Sequence, residues 1–122
     1  MADRRAAERR GRRSEWIAAA SLQMKGYRII ARRVRTRAGE IDLISSKGGL
    51  VAFVEVKARA DLNTALEAVT ARTWQRVSRA AELWIAKRQD LVDYDWRFDI
   101  IAVTPGTWPY HARDAWRPSH DN

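Results

Sequence analysis

The stretch that decides the fold runs from Glu40 to Arg59, EIDLISSKGGLVAFVEVKAR. Two β-prone runs, Glu40 to Ser45 and Leu50 to Arg59, are separated by Ser46, Lys47, Gly48 and Gly49, and paired glycines between such runs signal a hairpin. With Gly48 and Gly49 as a two-residue loop, Lys47 faces Leu50. Counting outward, Asp42 then faces Glu55 and Glu40 faces Lys57. Directly opposed side chains share a face, with Cβ atoms roughly 5 Å apart. A four-residue loop sets Asp42 opposite Phe53 instead but keeps the parity. The second run is apolar on both faces from Leu50 to Val54, which marks a central, buried strand. Its far end is therefore expected to carry Asp42, Glu55 and Glu40 together, with Lys57 beside them.

Carboxylates so placed repel, and partly buried charge must be compensated. Lys57 with a basic neighbour could do this, or a divalent cation could. Hard oxygen ligands, no cysteine and no histidine nearby favour Mg²⁺ or Mn²⁺ over zinc. The competing explanation is an ordinary cross-strand ladder, Glu40 paired with Lys57 and Asp42 solvated.

Working outward, Trp16, Ile17, Ala20 and Met24 recur at helical spacing from Arg13 to Lys25, and Gly26 stands where a left-handed residue ends a helix. Glu15 falls on the stripe of Ala19 and Leu22, so an acid points toward the core side, where it needs a partner. Tyr27 to Val34 is a short β-prone run, followed by a turn at Ala38 and Gly39. Thr64 to Glu67 has the form of a capping box, and apolar positions from Ala71 to Ile85 continue with helical period to Arg88, with a break expected near Val69 and Thr70. Tyr94 to Thr104 supplies a fourth strand, stopped by Pro105 and Gly106. The tail beyond Thr107 carries Trp108, Tyr110 and Trp116 and is expected to pack on the domain or on a partner. Trp16, Trp74 and Trp84 are expected in the core, and His111 and His120 as surface or packing residues. Asp99 either faces the site or braces Arg97. The element order is αβββαβ, an α/β fold with a mixed central sheet flanked by helices. Residues 1–11 read as a flexible basic arm, 12–117 as one domain and 118–122 as a tail.

Length and charge narrow the function. The 122 residues carry 23 Lys plus Arg against 15 Asp plus Glu, a net charge of +8. Residues 1–37 hold 12 basic and 3 acidic residues, so the whole excess is N-terminal. Nineteen of the 23 basic residues are Arg, whose planar fork suits phosphate. A polyanion is the expected partner, gripped by Arg33, Arg35 and Arg37, which alternation places on one side of the first strand, and by Arg72, Arg76 and Arg79 on one face of the second helix. Without cysteine there are no disulfides, thiolate metal sites or Cys nucleophiles. No apolar run is long enough for a membrane span, no secretory signal is visible, and the chain reads as cytoplasmic. No P-loop, dinucleotide fingerprint or nucleophile elbow is present.

The pattern Asp42, a turn, then Glu55-Val56-Lys57 resembles the D…(D/E)xK signature of the restriction-endonuclease-like nuclease superfamily, whose core order is also αβββαβ. More closely, GEIDLI (39–44), FVEVKAR (53–59) and RFDII (97–101), after an N-terminal S-E-W helix and MKGYRII, resemble the YraN-like family of small bacterial proteins, related to archaeal Holliday junction resolvases. The resemblance implies Asp42 and Glu55 as metal-binding carboxylates, Lys57 as the catalytic lysine and Glu15 as an added helix acid near the metal. Two positions depart from the pattern: Thr73 stands where relatives carry lysine, and Arg33 where asparagine is common. The implied activity is Mg²⁺-dependent hydrolysis of DNA phosphodiesters, on branched or junction substrates, by a homodimer. The alternative is a non-catalytic nucleic-acid-binding module that keeps the fold.

Overall fold

The hairpin forms in the expected register. In the computed structural model, which describes residues 2–118 with side chains from Glu8 onward, β2 (Glu40–Lys47) and β3 (Leu50–Ala58) pair antiparallel from Lys47↔Leu50 to Leu43↔Val54. Gly48 takes a φ of +60°, as a two-residue loop between right-twisted strands requires. β1 (Arg28–Arg35) pairs antiparallel with β2. On the other side β4 (Asp95–Val103) runs parallel to β3 from Leu50↔Asp95 to Ala58↔Val103. A further strand, β5 (Tyr110–Trp116), adds antiparallel to β4, giving one sheet in the order β1-β2-β3-β4-β5. β3 is central, and Val51 to Glu55 are all buried.

Helices cover both faces. α1 (Ala2–Met24) lays Ala18, Ala19 and Leu22 on Leu43, Ala52, Val54 and Ile101. The crossover from β3 to β4 supplies α2 (Leu62–Glu67) and α3 (Ala71–Ile85), the latter burying Trp74, Val77, Ala80 and Ala81 against Ile41, Ile44, Val51, Phe53, Phe98 and Ile100. The expected mixed α/β sheet between helices is what forms. Among the described residues no helix is long and apolar enough to cross a membrane.

Five expectations change. The first helix starts at Ala2, not near Arg13, because the Ala, Arg and Glu residues before it are strong helix formers even without apolar ones. The crossover caps are Asp61, which accepts from the Thr64 N–H, and Thr70, which accepts from the Thr73 N–H, so Thr64 to Glu67 lies inside α2 rather than opening a helix. The aromatic tail forms a strand not expected from sequence: it packs on the domain as expected through Trp116, which stacks on Trp74 at 6.0 Å, while Trp108 and Tyr110 stay exposed. Trp16 is 66% exposed rather than core, since it lies off the Ala18–Ala19–Leu22 stripe, whereas Trp74 is buried. Finally, Arg33, Arg35 and Arg37 do not share a side. Arg33 sits at φ +50°, and this left-handed residue breaks the alternation of β1. Across from it, Ile41 and Leu43 pack into opposite cores although alternation would place them on one face.

Candidate metal centre and nucleic-acid interface

The kink at Arg33 and Asp42 builds the site. Beyond Leu43↔Val54 the β2–β3 ladder gives way to a side-chain bond: the Val56 N–H donates to Asp42 Oδ2 at 2.8 Å. Asp42 is thereby fastened to β3 at the residue that Glu55 and Lys57 flank. Asp42, Lys57 and Val56, with Arg10, Gly11, Ser14, Glu15, Ala58 and Arg59, line a pocket of about 400 Å³ between α1 and the ends of β2 and β3. Glu55, the β3 neighbour of Val56, does not line the pocket; it is buried, 5% exposed, with no hydrogen bond or ion pair among the described residues.

Electrostatics follow from that burial. Desolvation pushes the Glu55 carboxyl up to about 8; the charge of Asp42 pushes the same way and that of Lys57 only partly opposes it. Asp42 is also raised, by burial first, against the pull of its Val56 N–H bond. Two carboxyls that resist ionising side by side are a site short of positive charge. The Glu40–Lys57 ladder does not supply it: Glu40 turns to the other neighbour and meets Arg35 at 3.7 Å, both exposed.

Glu15 faces the core side as its stripe requires, and its partner is Arg33, whose Nε donates to Oε1 at 2.5 Å. The left-handed backbone at Arg33 aims that guanidinium at α1. The residue that departs from the asparagine pattern is thus the one that engages the helix acid. Among the described residues no three His, Asp or Glu side chains stand together as a metal cluster. The donor set offered is two carboxylates, Asp42 and Glu55. That suits Mg²⁺, which keeps several waters and takes one or two carboxylates plus phosphate oxygens.

The basic residues divide. Arg33 joins the site through Glu15, while Arg35 and Arg37 border a separate hollow with Leu83, Trp84 and Lys87. Arg72, Arg76 and Arg79 are exposed on α3, across the sheet from α1, and none lines the Lys57 pocket. In their place the pocket has Arg10 and Arg59, which sequence reading passed over. Arg10, itself exposed, could have been found by extending the buried stripe of Ala18 and Ser14 back one turn; it stayed hidden because the helix was expected to begin after it.

Asp99 braces Arg97 and does more. Fully buried, it accepts from Arg97 Nε and Nη2, from His111 Nε2 at 2.7 Å and from the Asp114 N–H. Arg97 also donates to the Tyr27 hydroxyl, and Lys25 Nζ approaches His111 Nδ1 at 3.3 Å. Burial raises the Asp99 carboxyl, but the His111, Arg97 and Asp114 bonds outweigh it and hold the group below the usual range. His111 is a packing residue, its side chain 2% exposed; His120 lies outside the described residues.

Comparison with known proteins brings out close relatives. Residues 14–103 match the family described as "Uncharacterised protein family UPF0102". A UPF0102 protein of Mesorhizobium japonicum is 52% identical over 114 residues, covering 93% of this chain and 91% of the relative. Those of Maricaulis maris and Agrobacterium fabrum are 49% identical over 115 residues (94% and 91% covered) and 52% identical over 112 (92% of each). The family match spans Glu15, Arg33, Asp42, Glu55 and Lys57, and leaves out Arg10 and β5.

Proposed function

The chain belongs to the UPF0102 family, and from that premise we propose a Mg²⁺-dependent phosphodiesterase acting on nucleic acid in the cytoplasm, an endonuclease-like protein of the restriction-endonuclease-like superfamily. One observation carries the reading: a buried carboxyl without a hydrogen bond or ion pair, Glu55, lies within electrostatic reach of a second, Asp42, and of Lys57, which line a pocket walled by Arg10 and Arg59. A purely structural site has no use for two carboxyls that resist ionising.

In this reading Asp42 and Glu55 are the residues that would hold Mg²⁺ or Mn²⁺, and the ion, when bound, would supply charge neutralisation at the phosphate and lower the pKa of a water. Asp42 is oriented for this by the Val56 N–H, which leaves Oδ1 as its open donor. Lys57 orients the attacking water and counters charge developing on the phosphate oxygens. Arg10 and Arg59 position the backbone through phosphate contacts that read no base sequence. Glu15, whose Oε1 is engaged by Arg33, serves as a positioning residue, with Oε2 left as its second acceptor. DNA with a branch or junction is the proposed substrate, and two symmetric cuts would call for a homodimer.

The test is calorimetric titration of Mg²⁺ and Mn²⁺ into wild type and Asp42→Ala, followed by incubation with labelled four-way junction, duplex and single-stranded DNA. Metal binding lost in Asp42→Ala, and cleavage lost in Asp42→Ala, Glu55→Gln and Lys57→Ala with folding intact, is the expected result. Salt-sensitive DNA binding with no metal uptake and no cleavage would instead make the protein a binding module.

A further inference from the structure

Trp16 is a large exposed side chain beside the site that the reading above leaves unused. Its indole is 66% exposed on α1, so it forgoes the burial that normally accounts for a tryptophan. The Arg32 guanidinium lies over the ring at 4.6 Å from its centroid. Arg12, Glu15, Arg32 and Arg33 complete an open hollow of about 310 Å³ around it. Glu15 is taken up by Arg33, so Arg12 and Arg32 face the hollow with no acidic partner among the described residues. Unbalanced guanidinium groups beside an exposed π-face match an anion that carries a flat ring. Glu15 lines both this hollow and the Asp42–Lys57 pocket, so a strand leaving one enters the other across the Glu15–Arg33 pair.

We propose that Trp16 is a stacking platform for an unpaired nucleobase, with Arg12 and Arg32 taking the flanking phosphates of a single-stranded segment that continues from the Asp42–Lys57 pocket. The inference rests on reading that pocket as a nucleic-acid site, and it adds a selectivity. Base faces are hidden inside a duplex and open in a single strand or a splayed fork, so stacking favours DNA with unpaired bases. Arg32 pre-positions the indole, and any base can use the platform because every base has a π-face.

The test is fluorescence anisotropy, without added divalent metal, of wild type, Trp16→Ala and Trp16→Phe on labelled single strand, forked duplex, blunt duplex and a strand of abasic sites. Trp16→Ala should weaken single-strand and fork binding roughly 5- to 100-fold, with Trp16→Phe recovering most of it. Blunt-duplex and abasic-strand binding should change by less than about twofold, since neither offers a base to stack. Equal single-strand affinity of wild type and Trp16→Ala, or equal losses on every substrate, overturns the platform while leaving the pocket's reading intact. A wild type that binds none of the four overturns the reading of the pocket, and the platform with it.

Discussion

Glu55 and Arg33 are single residues whose chemistry departs from what their positions alone suggest. Glu55 titrates near 4.5 in the unfolded chain and near 8 in the folded one. Because the folded-state value is raised, no penalty exists below about pH 4.5; stability falls as pH rises above it, and the loss is complete above about pH 8. Glu55→Gln should therefore match wild type near pH 4 and be more stable at pH 8, by an amount on the order of a few kcal/mol. Denaturant melts across that range check this, and parallel curves for the two proteins would refute it. Arg33 occupies the left-handed region, which costs a β-branched residue most and asparagine little. Arg33→Asn should thus stay within about 1 kcal/mol of wild type while Arg33→Val costs roughly 1–3 kcal/mol. Similar values for the two would mean that the Glu15 ion pair, not the backbone, governs the position.

Among the elements, β5 has the weakest local claim to be a strand. Its side chains are mostly exposed, and its ladder to β4 shifts register between Phe98 and Ile100. What fastens it is Asp99 on β4, bonded to His111 and to the Asp114 N–H, with Arg97 closing the cluster. Asp99→Ala would strand the partly buried Arg97 and remove both ties to β5, for an expected cost of about 3–5 kcal/mol. Hydrogen exchange at Ala112 to Asp114 should accelerate more than exchange in β2; uniform protection across both strands would show that the Trp74–Trp116 stack holds β5 unaided.

At the scale of the molecule, basic charge is divided between the two sides of the sheet. The N-terminal excess lies on α1 and β1, and the arginines of α3 lie across the sheet from the pocket. Nucleic-acid binding should weaken steeply with salt, and Arg10→Ala or Arg59→Ala should each lower the slope of log K against log salt by about 1. Arg72→Ala should leave that slope unchanged, which titrations between low and high salt would measure. An Arg72→Ala effect equal to that of Arg10→Ala would place the polyanion over α3 as well.

The hairpin register, the central strand, the αβββαβ order and the inward stripe of Glu15 were all readable from sequence, because each follows from local rules: strand alternation, helical period and the demands of a Gly-Gly loop. Trp16, Arg10, Asp99 and the division among the arginines were not. Whether an indole is buried depends on where a helix starts and which stripe its partner sheet selects. Whether Asp99 serves the site or a strand depends on a tail brought back from outside the core motif. The convergence of Asp42 with Glu55 and Lys57 belongs to both levels. Their nearness was legible in the spacing, but the expected Asp42–Glu55 ladder pair gives way to the Val56 N–H bond to Asp42, and the left-handed residue at Arg33 exists only once two strands and a helix are packed together.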